Sequence, residues 1–222
     1  NASWTDIYQD YLSGAGKIKI TATTEVRGLE NYICPTYIGF PGKVQDVYRA
    51  NEFLKEFRAC EAKGEWYNFI IMLLPNDHTS GTREGFPTPN AAVADNDLAL
   101  GRIVEAVSRS RFWPETVIFV VEDDPQAGLD HVDGHRTVAF CLSPYTKRGV
   151  VDSSHYNQTS ILRTIELIFN LPPMNQFNMA ANPMVNCFTD TPDLTPYTAK
   201  PNNIPLDQMN PPIQSLKGQQ RY

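Results

Sequence analysis

Acidic and imidazole side chains crowd one stretch of this chain. From Thr116 to Arg136 it reads TVIFVVEDDPQAGLDHVDGHR, so Glu122, Asp123 and Asp124 follow an apolar β-branched run, and Asp130, His131, Asp133 and His135 come soon after. Carboxylate oxygens are hard donors and imidazole nitrogens borderline ones. Gathered at the end of a buried strand they suit a divalent metal, because the strand fixes the backbone while the loop wraps the ion. All four histidines, His78, His131, His135 and His155, fall between positions 78 and 155, three of them beside or two residues from an aspartate. The first such pair, Asp77 and His78, also follows an apolar run, IIMLL.

Elements able to position these groups can be read from periodicity. Val47, Ala50, Leu54, Phe57 and Cys60 recur at helical spacing, Gly64 ends that helix, and Tyr67 to Leu74 reads as a fully buried strand. A second helix is predicted from about Ala91 to Ser110, with Leu98, Ile103, Val104 and Val107 on its apolar side. Pro114 and a strand from Thr116 to Val121 follow, then a strand from Thr137 to Ser143 and a helix from about Thr159 to Phe169. Helices alternating with apolar strands predict an α/β fold, a mostly parallel sheet with helices on both faces. In such sheets ligands bind beyond the carboxyl ends of the strands, which places Asp77, His78, Asp123 and Asp124 at one edge. His135 precedes its strand, so its loop must cross back over that edge. The predicted organisation is an irregular segment over 1–43 with short β-like pieces (KIKITATTEV), the α/β domain over 44–189, and a Pro-rich extended tail over 190–222. Leu194, Tyr197, Ile204, Leu206, Met209 and Ile213 make that tail an arm packed on this domain or on a neighbour rather than a free tether.

At 222 residues, 41% hydrophobic and 20% charged, the chain reads as one soluble globular domain or most of one. No apolar run approaches membrane-spanning length. A net charge of −6 without a Lys/Arg cluster argues against nucleic acid as a partner. The opening residues, NASWTDIYQDYL, do not form a basic-then-apolar leader. Cys34, Cys60, Cys141 and Cys187 contain no CxxC pair, which disfavours a cysteine metal site. Cys141 reads as a buried small hydrophobe, and a Cys34–Cys60 bridge stays open.

Each motif also has a plain structural reading. Asp77 could cap turn amides, the acidic triplet could be a solvated loop, and Gly128 and Gly134 argue against His131 and His135 as a helical ligand pair. His155, just before a helix, suits a cap or packing role as well as a ligand role. Arg83 and Arg136 could each bind one phosphate oxygen. Separated motifs expected at one sheet edge favour a metal or phosphate site over coincidence.

Through LPNDHTSGTREG, VADNDLALGRIVEAVSRSRFWPETVIFVVEDD, DHVDGHRTVAFCLSPYTKRG and TSILRTIELIFNLPPM, the chain resembles the metal-dependent phosphoesterases of the alkaline phosphatase superfamily. It is most similar to the branch of bacterial phospholipases C and acid phosphatases, and to proteins in which such a domain follows a β-propeller. The resemblance spans roughly Val44 to Tyr197. It implies that Asp123 and Asp124 bind the metal nearest the nucleophile, that Asp77 and His78 hold the other, and that His135 completes that second site. Asp130 and His131 are implied as ligands or as phosphate contacts, with Arg136 beside the substrate. Also implied are one or two divalent ions (Zn, Mn or Ca), a phosphate ester substrate, and a periplasmic or secreted bacterial setting. The chain departs from the pattern in having Asp124 where the superfamily commonly has histidine, and in the adjacency of Asp77 and His78. Neither the opening acidic/Asn metal segment nor the Ser or Thr nucleophile is found before Tyr67, so the resemblance is to the C-terminal half of the domain. The implied function is metal-dependent phosphomonoester or phosphodiester hydrolysis, this chain supplying most metal ligands and the missing half or another subunit the nucleophile. Two rivals stand beside it: a noncatalytic phosphatase-like scaffold or assembly subunit, and a hydrolase using water directly with Glu122 or Asp133 as base.

Overall fold

Ser3 starts the first helix: its hydroxyl accepts from the Asp6 N–H while the Asp6 carboxylate accepts from the Ser3 N–H. The computed structural model describes residues 2–40, 43–123 and 135–215. Helix α1 (Trp4–Ser13) buries Trp4 and Ile7 and ends at Gly14, whose φ of 63° suits glycine. This helix lies in the segment expected to be irregular. Helix α2 (Asp46–Lys63) stops at Gly64, whose N–H bonds to the Cys60 and Glu61 carbonyls. Helix α3 (Pro89–Ser108) is started by the Thr88 hydroxyl, which accepts from the Ala91 N–H, with Pro89 at its first position. Val47, Ala50, Phe53, Leu54 and Phe57 of α2 are buried, as are Ala91, Ala92, Ala99, Ile103, Val104 and Val107 of α3, and the two helices pack together. At about 1.5–3 kcal/mol for each large side chain buried, this pair is the main apolar core of its unit.

The chain forms two units, one of residues 1–110 with 197–222, the other of residues 111–196. In the first, the late segment returns to the helices: the Tyr197 N–H donates to Ser108 Oγ, and the Asn210 amide donates to the carbonyls of Gly81, Arg83 and Pro87. In the second, β1 (Ile118–Val121) and β2 (Ala139–Leu142) pair antiparallel from Ile118 opposite Leu142 to Val121 opposite Ala139. Helix α4 (Gln158–Ile168), capped by Asn157 and Ser160, packs on the short α5 (Gln176–Ala180). Glu166 joins them, accepting from the Met174 N–H, the Asn178 amide and Arg163.

Helices and strands thus occur together, but the strands of the described residues do not form the expected parallel sheet. The β1–β2 pair is antiparallel for a physical reason. A parallel pair needs a crossover that returns the chain to the same end, usually a helix, and the connecting sequence, rich in Asp, His and Gly, has no helical period. The strand expected over Tyr67 to Leu74 is also corrected: these residues form no strand, and Ile71 is 85% exposed. An apolar run becomes a buried strand only where neighbouring strands are there to pair with it. No helix among the described residues is long and apolar enough to cross a membrane.

Candidate functional site

Asn76, Asp77 and His78 form a single 3-10 turn, and what fixes that turn lies beneath it. Asp46 and Asp95 are fully buried side by side. Asp95 accepts from the N–H groups of Asp46 and Val47 and from the Asn76 amide; Asp46 accepts from the Asn76 N–H, the Asn96 amide and Arg49. Buried Arg49 also donates to the carbonyls of Ile38, Gly39 and Val44. Burial pushes the Asp46 carboxyl up to about 7, opposed by Arg49 and reinforced by the charge of Asp95. Asp95 is raised as well, by burial first, against the hydrogen bonds it accepts.

On this base the turn offers two open donors. Asp77 is half-buried; its Oδ1 takes a 3.3 Å bond from the Asn96 amide, and among the described residues its other oxygen accepts none. His78 is exposed, with Nδ1 3.2 Å from the Thr79 carbonyl. A carbonyl can only accept, so Nδ1 is the donor in this contact, and in a neutral imidazole that tautomer leaves the Nε2 lone pair open, the pattern a metal-binding histidine uses. Thr79 is held at φ 58° and ψ 174°, a region costly for a β-branched residue. A carboxylate oxygen and an imidazole nitrogen on adjacent residues therefore fit a divalent cation by donor chemistry. Among the described residues Asp77 accepts from no backbone amide, its one partner being the Asn96 side chain, while Asn76 to His78 do form a turn.

In the other unit, the Glu122 N–H donates to the Val138 carbonyl and Thr137 Oγ1 to the Glu122 carbonyl, extending the β1–β2 ladder past its last paired residues. Asp123 and His135 consequently leave the ribbon at the same end. The Gln158 amide, in the first turn of α4, donates to the carbonyls of Glu122 and Asp123 and holds that end. Asp123, His135 and Arg136 are exposed. Asp124, Asp130, His131 and Asp133 lie outside the described residues. Among the described residues no group of three or more His, Cys, Asp or Glu side chains is gathered for a metal ion. His155 is exposed and α4 is capped by Asn157 instead; Arg83 lies over the Phe86 ring at 4.8 Å. All four cysteines are free thiols, and burial raises Cys141 to about 11.

Sequence reasoning missed Asp46, Asp95, Asn76, Asn96 and Gln158. For Asp95 a signal exists: Ala91, Asp95, Ala99, Ile103 and Val107 follow one another at four-residue steps, so an acid stands on an otherwise apolar helix face.

Residues 82–172 match the family model of the Phosphoesterase family. The match takes in Asp95 and Asn96, the whole of β1 and β2, Asp123, Asp124, Asp130, His131, His135 and Arg136; Asp77 and His78 fall just before it. It is consistent with a phosphoesterase domain and points to phosphoester hydrolysis. Comparison with curated proteins finds no match.

Proposed function

We propose that this chain is the metal-binding part of a phosphoesterase acting on phosphomonoesters or phosphodiesters. The match of residues 82–172 to the Phosphoesterase family carries the reading. In it, Asp77, His78, Asp123, Asp124 and His135 are the residues assigned to one or two divalent ions (Zn, Mn or Ca), Asp130 and His131 are further ligands or phosphate contacts, and Arg136 contacts the substrate or supports the residues that do. The open lone pairs on Asp77 and His78, and the exit of Asp123 and His135 from one end of the ribbon, support those assignments. A divalent ion bound there would neutralise nonbridging phosphate oxygens and lower the pKa of a hydroxyl nucleophile. Asp77 and Asp123 would each bring an anionic oxygen, and His78 a neutral nitrogen oriented by its bond to Thr79. In this reading the nucleophile is supplied by the N-terminal half of such a domain or by another subunit.

The same partner would cover Tyr67 to Leu74, whose side chains carry no charge and are largely exposed. A periplasmic or secreted location belongs to the proposal on resemblance alone. A noncatalytic scaffold is the second reading; a bound ion with every coordination position filled by protein would favour it, since catalysis needs an open position.

Hydrolysis of an aryl phosphate and an aryl phosphodiester, with Mn²⁺, Zn²⁺ or Ca²⁺ supplied, separates the two readings. The chain alone should be nearly inactive and the complete polypeptide active. In the complete polypeptide Asp123→Ala should depress kcat by orders of magnitude with the fold retained. A complete polypeptide inert towards both substrates, or an Asp123→Ala variant as active as wild type, would sink the catalytic reading in favour of the scaffold.

A further inference from the structure

We infer that Asn96 is a positioning residue for Asp77, a role that rests on the metal reading of the Asp77–His78 turn. The Asn96 amide nitrogen lies 2.7 Å from the Leu74 carbonyl, 3.1 Å from Asp46 Oδ2 and 3.3 Å from Asp77 Oδ1. Its two hydrogens serve three acceptors, so the bond to Asp77 is the longest, yet all three point to one task. Leu74 is the last residue of the apolar run, Asp46 is part of the buried base, and Asp77 is the open ligand; Asn96 ties them together from one position on α3. Asn76 does the same from within the turn, donating its N–H to Asp46 and its amide to Val44 and Asp95.

The chemical effect is selective. A hydrogen bond on Oδ1 restrains the carboxylate and leaves Oδ2 for a cation, so less side-chain freedom is lost when the ion arrives. A neutral donor is required at position 96. An acid there would add a third carboxylate beside Asp46 and Asp77, and an apolar residue would release Asp77 altogether.

Titration of the chain with Mn²⁺ alone, followed by calorimetry and paired with thermal melting, tests this. Asp77→Ala should lose most affinity, and Asn96→Ala should raise Kd by about 10–100-fold, as loss of an outer hydrogen bond to a ligand does. Asn178→Ala removes a buried amide in the other unit, where it donates to Glu166. That control should lower the melting midpoint and leave Kd unchanged. If Asn96→Ala does not fold, Asn96→Leu, similar in size and without a hydrogen to donate, carries the same expectation. Wild-type affinity in both Asn96 variants, with Asp77→Ala impaired, overturns the positioning role alone. Equal weakening by Asn96→Ala and Asn178→Ala also overturns it, as general destabilisation. Equal or absent Mn²⁺ binding in wild type and Asp77→Ala removes the metal reading, and the inference with it.

Discussion

Asp46 holds opposing demands in one carboxyl. Arg49, Asn76 and Asn96 all donate to it, yet burial and the nearby Asp95 push it up from 3.8 to about 7. Its proton is therefore held more tightly folded than unfolded. The stabilisation is complete below the unfolded value and is lost as pH rises through about 7. Urea denaturation should show a midpoint that declines between pH 5 and pH 7.5, and Asp46→Asn should flatten that decline; an unchanged slope in the variant would assign the effect elsewhere. Asp46 and Asp95 also mark where single-sequence reasoning ran out. An acid within a helix is read as solvated by default, and only its place on an apolar face, as with Asp95 between Ala91 and Ala99, gives burial away. As candidates, Asp77, His78, Asp123 and His135 could be picked out, because carboxylates and imidazoles after apolar runs declare their chemistry by residue type; the turn and the antiparallel ribbon that carry them could not.

At the level of elements, α2, α3 and α4 were readable from apolar period and, for α2, from Gly64 as its stop, while the Thr88 cap that starts α3 at Pro89 was missed. The first helix was missed, in a segment expected to be irregular: Trp4, Ile7, Tyr8 and Tyr11 fall at helical spacing behind Ser3, but the helix is short and mostly polar. Strand direction and the fate of Tyr67 to Leu74 were not readable either, since an apolar run reports a preference for burial and not the presence of a partner. The α2–α3 contact should be the costliest to damage. Leu54→Ala, at a side chain only 4% exposed, should lose about 2–5 kcal/mol in denaturant unfolding. Gly64→Ala should lose about 1 kcal/mol, because a φ of 76° is strained for any residue with a Cβ. In the other unit, burial raises the Glu166 carboxyl, but the bonds from Met174, Arg163 and Asn178 outweigh it and the net shift is downward. Its contribution is present above the ordinary glutamate range and fades as pH falls through the lowered value. Glu166→Ala should accordingly loosen α5 first, seen as faster amide exchange over 174–180 than in α4.

Across the whole chain, the first unit is discontinuous. Residues 1–110 make a unit with residues 197–222, while 111–196 form the other between them. Removing 197–222 should lower the melting midpoint of α2 and α3 and speed amide exchange there, because Ser108 and the carbonyls of Gly81, Arg83 and Pro87 lose their partners and buried Leu206 is gone. Exchange rates unchanged by the deletion would show the returning segment to be dispensable. The order in which a ribosome delivers the chain gives the same feature a temporal meaning. Helices α2 and α3 emerge first but wait for the entire second unit before their last contacts can close, an interval of seconds at ordinary synthesis rates. During that interval Tyr67 to Leu74, an uncharged and mostly apolar run, is already outside the exit tunnel, so a nascent chain arrested before residue 197 should be the form that holdase chaperones grip most tightly.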